Sequence, residues 1–225
     1  MEAKLLRELI LIRHGQSVGN VSEVGCDNLT DEQDPVLTDT GLNQAQKLGE
    51  YFSNTGICLD AVYTSGLRRT VQTASQILKY QENKQALIIP DLCEIGINPA
   101  YGGQTLEALK AFYPAVSLAD GLSCESLVVP DETPWDDEYR YFERAQRVLD
   151  YLGARYNSEE QVALVSHAGF LTYIIFLIIG YKDKQPIYDF RLSNTGVTRI
   201  LFYEPGTNKY GDIVFDCVNE RNHLC

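Results

Sequence analysis

The chain has 225 residues, 44% of them hydrophobic and 22% charged, which is the make-up of a folded protein of one large or two small domains. No stretch has the composition of a linker, so one domain spanning residues 1–225 is expected. The formal net charge of −12 argues against nucleic acid or anionic membrane as a partner, since both need basic surface, and any anionic ligand must be drawn in by a local basic pocket.

In chain order, the first pattern is the apolar run Leu9-Ile10-Leu11-Ile12, which enters Arg13-His14-Gly15-Gln16-Ser17 directly. A continuous apolar run bounded by loop residues indicates a strand buried on both faces. The polar loop from Asn20 to Pro35, with Asp31, Glu32 and Asp34, has the charge density of a solvated surface. Thr38-Asp39-Thr40-Gly41 opens a helix whose apolar face is Leu42, Ala45, Leu48, Gly49 and Phe52. Asp60 to Thr64 forms a second strand, and Ser65 is the expected N-cap of a helix from Leu67 to Tyr80 striped by Leu67, Val71, Ala74 and Leu78.

Ala86 to Pro90 is a third strand, followed by Asp91-Leu92-Cys93-Glu94. Residues 95–137 are the least regular, with Gly102-Gly103, Pro114, Pro130 and Pro134. They are expected to lie over the sheet as an insertion or lid, with a short helix near Thr105 to Phe112. Glu138 to Tyr156 forms a long helix, Val162 to Ser166 a buried strand, and Phe170 to Ile179 a helix. Gly196–Tyr203 and Asp212–Val218 flank Pro205-Gly206-Thr207-Asn208, the signal of an antiparallel hairpin. Strands alternating with helices predict an α/β fold: a mainly parallel sheet with helices on both faces, three layers in all, and one antiparallel edge strand.

The six cysteines contain no C-x-x-C pair and are expected to be reduced thiols. Charges within Met1 to Glu8 do not suit a signal peptide, so the cytoplasm is the expected compartment and the two N-x-S/T matches carry no weight. The apolar segment Val162 to Gly180 divides into strand and helix rather than forming a membrane span.

Reactive side chains gather at strand ends. Arg13-His14 ends the first strand, Ser166-His167-Ala168-Gly169 follows the fourth, Glu94 follows the third, and Arg68-Arg69 starts the helix after the second. In a parallel sheet these ends share one rim, where ligands of open α/β sheets bind. Two of the three histidines fall there. Two imidazoles, two guanidiniums and one carboxyl group suit a phosphoryl group: guanidinium forks match phosphate oxygens, and the helix N-terminus near Leu67 adds free N–H groups. A neutral imidazole can attack phosphorus while a carboxylic acid protonates the leaving oxygen.

These residues resemble the histidine phosphatase superfamily, the branch that includes cofactor-dependent phosphoglycerate mutases. The resemblance is carried by Arg13-His14-Gly15 with Ser17 and Asn20, by Leu37-Thr38 with Gly41 and Gln44-Ala45, and by Ser65 to Ala74. Leu92-Cys93-Glu94 and Ser166-His167-Ala168-Gly169 complete it, in the family's order as far as about Thr198. It implies a metal-independent, cofactor-free phosphomonoesterase working through a phosphohistidine. His14 is the implied nucleophile. Arg13, Arg69 and His167 hold the phosphoryl oxygens, Glu94 is the acid, and Asn20 and Ala168 add substrate contacts. Two places depart from the mutases: Gly19 stands where they carry Trp, and Ile95-Gly96-Ile97-Asn98-Pro99 replaces their aromatic and basic run. Mutase-type phosphoryl transfer and a non-catalytic phospho-ligand module are the competing readings, with a metal site on His14 and His167 ranked below both. The expected partner is a small phosphorylated substrate, with a phosphoprotein and a homo-oligomer left open. Tyr101, Trp135, Tyr139 and Tyr141 are candidates for either a substrate pocket or packing.

Overall fold

The computed structural model describes residues 3–21, 34–82, 85–131, 139–181 and 190–225. Its strands are β1 (Leu5–Arg13), β2 (Ala61–Thr64), β3 (Ala86–Ile88), β4 (Val116–Leu118), β5 (Glu160–Ser166), β6 (Val197–Tyr203) and β7 (Ile213–Glu220). Its helices are α1 (Val18–Val21), α2 (Asp39–Thr55), α3 (Arg68–Leu78), α4 (Leu106–Phe112), α5 (Tyr139–Gly153) and α6 (Ala168–Ile178). The strands form one sheet in the order β4-β3-β2-β5-β1-β6-β7.

The apolar run of β1 is continuous because it serves two cores at once. Leu9 and Leu11 pack on α5 and α6 through Tyr141, Val148, Phe170 and Ile174. Ile10 and Ile12 point the other way, onto Leu48 and Phe52 of α2 and Val71 and Ile77 of α3. This is the three-layer arrangement expected from the sequence, and the period-2 geometry of a strand produces it directly. Helix α2 begins where the sequence indicated: Thr38 accepts a hydrogen bond from the Gly41 N–H, and the helix ends at Gly56 in the left-handed conformation.

The final hairpin makes one edge of the sheet antiparallel, as expected: β6 pairs antiparallel with β1, and β7 returns beside it. Two expectations need correction. The 95–137 segment contains α4, capped by Thr105, and also β4, which pairs parallel with β3 and forms one border of the sheet. A three-residue strand is too short to show a period, so nothing in Val116-Ser117-Leu118 announced it. The residue capping α3 is Leu67, without a side-chain bond, and Ser65 serves elsewhere. Trp135 falls outside the described residues, as do Asp31 and Glu32. Tyr141 is buried against Tyr173, with ring centroids 5.1 Å apart, which is packing, whereas Tyr139 is exposed. Among the described residues no helix is long and apolar enough to cross a membrane, and Cys58, Cys93, Cys124, Cys217 and Cys225 are free thiols.

Candidate active site

Strand pairing assembles the site. β1 and β5 run parallel with Arg13 opposite Ser166, and β2 joins the other side of β5 with Thr64 opposite Val165. The next residue of each strand therefore emerges on one rim: His14, His167 and Ser65. The two imidazole centroids are 5.1 Å apart, edge to face.

His14 Nδ1 lies 2.7 Å from the Gly15 carbonyl oxygen. A carbonyl only accepts, so Nδ1 carries the proton and Nε2 keeps its lone pair. Burial, with the Arg69 and Arg13 guanidiniums nearby, holds the His14 pKa well below the usual imidazole value, against the pull of the Gly15 bond. His167 is fully buried, and burial with Arg69 and His14 likewise pushes its pKa well down. Its Nε2 meets Ser65 Oγ at 2.9 Å, while its Nδ1 is buried without a hydrogen-bond partner.

Arg13 donates from NH1 to the Leu192 carbonyl at 2.7 Å, and its Nε is buried without a partner. Arg69 is buried, with an NH1 that makes no hydrogen bond and lies 3.9 Å from Asp34 Oδ1. Its neighbour Arg68 turns away and binds the Asp34 carbonyl oxygen through Nε at 2.9 Å. Asp34 is not the solvated loop residue its sequence neighbourhood suggested. It is 1% exposed, accepts from the Arg68 N–H at 2.7 Å, and has its pKa raised by burial against the opposing pull of Arg69 and Arg68. The start of α3 is consequently not a set of free amides. The Arg68 N–H is taken by Asp34 and the Leu67 N–H by Ser65 Oγ. A buried helix start must satisfy these donors internally.

Glu94 is delivered by a 3-10 turn, Pro90–Leu92, which Ser166 Oγ ties to the end of β5 by donating to the Leu92 carbonyl at 2.6 Å. Its Oε1 accepts from the N–H groups of Ile95 and Phe170, both at 3.0 Å. Oε2 takes no part in these two bonds. Gly169 makes the approach possible: a Cβ there would sit 2.7 Å from Glu94 Oε1. Ala168 opens α6, so its N–H has no acceptor within the helix. Asn20 sits at the margin, where its Oδ1 accepts from the Ser17 N–H at 3.0 Å and from Asn194 at 3.1 Å.

The structure thus brings Arg13, His14, Arg69, Glu94, His167 and Ala168 to one rim. Three residues that the sequence analysis gave no part in the site support them. Asp34 backs Arg69, Ser65 backs His167, and Asn194 donates to the His14 carbonyl at 3.0 Å. Ser65 alone had a visible signal, its place at the end of β2; Asp34 and Asn194 come from loops whose residue types are ordinary for loops. Among the described residues no group of three or more His, Cys, Asp or Glu could hold a metal ion.

The sequence model of the histidine phosphatase superfamily (branch 1) matches residues 9–210. Among curated relatives, a 2,3-bisphosphoglycerate-dependent phosphoglycerate mutase of Bartonella henselae is 39% identical over 83 residues, covering 37% of this chain and 38% of that protein. A broad-specificity phosphatase of Saccharomyces cerevisiae is 38% identical over 104 residues, covering 45% and 44%. The chain therefore spans less than half the length of these two relatives. Among solved structures, a phosphoserine phosphatase of Entamoeba histolytica in complex with 3-phosphoglyceric acid superposes with a TM-score of 0.64 at 25% identity, covering 98% of this chain and 100% of that one. A phosphoglycerate mutase of Bacillus anthracis gives 0.63 at 18%, covering 98% and 96%, a likeness of fold alone. With the family match running from the first strand to beyond β6, over every element that carries the rim described above, this chain belongs to the histidine phosphatase superfamily, branch 1.

Proposed function

We propose that the protein is a metal-independent phosphomonoesterase that works through a phosphohistidine on His14. The observation that carries this reading is the state of His14. It is buried, neutral, protonated at Nδ1 by its bond to Gly15 and lone-paired at Nε2, with His167 and two cationic side chains around it. His14 Nε2 attacks phosphorus in line, forming the N–P bond as the ester P–O bond breaks. Arg13, Arg69 and His167 bind the three phosphoryl oxygens, and the Ala168 N–H and the amide of Asn20 add donors. In this reading Ser65 Oγ, 2.9 Å from Nε2, donates to it, and His167 carries its proton on the otherwise unpartnered Nδ1, the form that donates to an oxyanion. Glu94 Oε2 gives its proton to the leaving alkoxide. It then takes one from water, whose oxygen attacks phosphorus, and the N–P bond breaks to release phosphate.

Hydrolysis is favoured over mutase-type transfer by Gly19 and by the run Ile95 to Pro99, which lack the aromatic and basic residues of the mutases. The relative matched over the longer stretch is named a phosphatase. Incubation with labelled phosphomonoester and an alkaline quench should leave acid-labile phosphate on the parent protein and none on His14→Ala, which should also lose turnover. Phosphate release should exceed any isomerisation of phosphoglycerate and should survive EDTA. Label on serine or cysteine, or a dominant isomerase activity, overturns the reading.

A further inference from the structure

Arg144 is a buried cation that the proposed mechanism does not use. It projects from α5 and is 3% exposed, and its hydrogen bonds go to carbonyl groups and not to a carboxylate. Nε and NH2 donate to the Asp91 carbonyl oxygen at 3.3 and 3.1 Å, and NH2 donates also to the carbonyl of Cys93. The guanidinium carbon lies 4.4 Å from the centroid of the Phe170 ring. These contacts flank Glu94 on both sides. Cys93 precedes it in the chain, and Phe170 is the residue whose N–H holds Glu94 Oε1.

Burying a guanidinium without a carboxylate partner costs free energy, and a well-packed apolar side chain would fill the same space at lower cost. What an apolar residue cannot do is hold two carbonyls and an aromatic face at fixed angles with one planar fork. A second arginine on the same helix gives the contrast. Arg147 binds the Asp91 carboxylate through both oxygens, at 2.7 and 2.8 Å, with over half of its side chain exposed. It pins the same 3-10 turn from outside but touches neither Cys93 nor Phe170 in any of these bonds.

We propose that Arg144 is a positioning residue for the general acid. By gripping the Cys93 carbonyl and the Phe170 ring together, it fixes Glu94 so that Oε2 faces the leaving-group oxygen. This rests on Glu94 being the acid of the proposed mechanism. The expected signature is a loss that depends on the leaving group, because nitrophenolate departs without a proton and an alkoxide does not.

The test measures the rate of His14 phosphorylation in a single turnover, with nitrophenyl phosphate and with an alkyl phosphate. Arg144→Met should slow the alkyl ester about 10²-fold, the scale of an ångström of misplacement, and leave the nitrophenyl ester close to the parent. Arg144→Lys keeps the buried charge but cannot span both carbonyls, so it should show the same split in weaker form, and it carries the test if the Met variant does not fold. Arg147→Ala should match the parent with both esters. Glu94→Gln serves as reference. If it shows the split and the Arg144 variants lose both esters equally, or neither, Arg144 is only structural and the proposal falls. If Glu94→Gln shows no split, the assignment of Glu94 itself is wrong and the role of Arg144 falls with it.

Discussion

Arg68 and Arg69 are adjacent, equally charged and on the first turn of one helix, yet they face different groups. Consecutive helix residues point about 100° apart. Arg69 faces both imidazoles and Arg68 the Asp34 loop. Loss of one transition-state donor costs about 10²–10³ in turnover. Arg69→Ala should fall in that range, while Arg68→Ala should lose far less; steady-state kinetics on variants checked by circular dichroism decides. The reverse ranking would mean that the start of α3 is rotated by one residue. Arg69 also depresses the His14 pKa. Its removal should therefore move the acid limb of kcat/KM upward in pH relative to the parent with the same ester, because His14 then gains its inactivating proton at higher pH. An unmoved limb would separate Arg69 from the nucleophile.

At the scale of elements, α2 presses its first turn against the loop that carries His14. A Cβ on Gly41 would lie 2.0 Å from the Gln16 carbonyl oxygen, two residues beyond His14. At the far end Gly56, at φ 75°, has open space around it. The two glycines should fail differently. Gly41→Ala forces backbone apart, overpacking worth about 1–3 kcal/mol, and should lower both melting temperature and kcat. Gly56→Ala meets only left-handed strain of about 1–2 kcal/mol and should lower the melting temperature alone. Equal kcat in the two variants would show that the loop does not depend on this contact.

For the molecule as a whole, pH acts through buried histidines. His223, in the C-terminal 3-10 turn, bonds Thr195 Oγ1 at 2.9 Å, and burial lowers its pKa to about 4. Thr195 in turn donates its N–H to the Arg13 carbonyl at 3.0 Å, so this turn braces the strand that carries His14. The unfolded chain takes up the His223 proton near the ordinary value of about 6.5. The stabilisation is thus complete above that pH and is lost as pH falls toward about 4. Asp34, whose pKa is raised, has the opposite sign and offsets part of the loss. The urea midpoint should drop from pH 7 to pH 5 in the parent and drop less in His223→Gln; identical drops would remove His223 from the acid response.

The sequence by itself determined the elements with a strong period and the residues standing at their ends. β1 and β5 are continuous apolar runs because both faces are buried, and Arg13, His14 and His167 follow those runs directly, so their place on the rim was legible. Helix α2 was legible from its cap, and Glu94 from its position after β3. The tertiary structure alone decided which ends meet. Parallel pairing of β1 with β5, in the register Arg13 to Ser166, sets two histidines that are distant in the chain side by side. It also decided which groups Asp34, Ser65, Asn194 and Arg144 meet. A polar residue in a loop or on a helix has the same local pattern whether water or a buried guanidinium faces it, and only the packing of distant segments selects between them. The apolar stripe of α3 would have sent Arg69 to solvent; it is buried instead, beside the two imidazoles at the ends of β1 and β5.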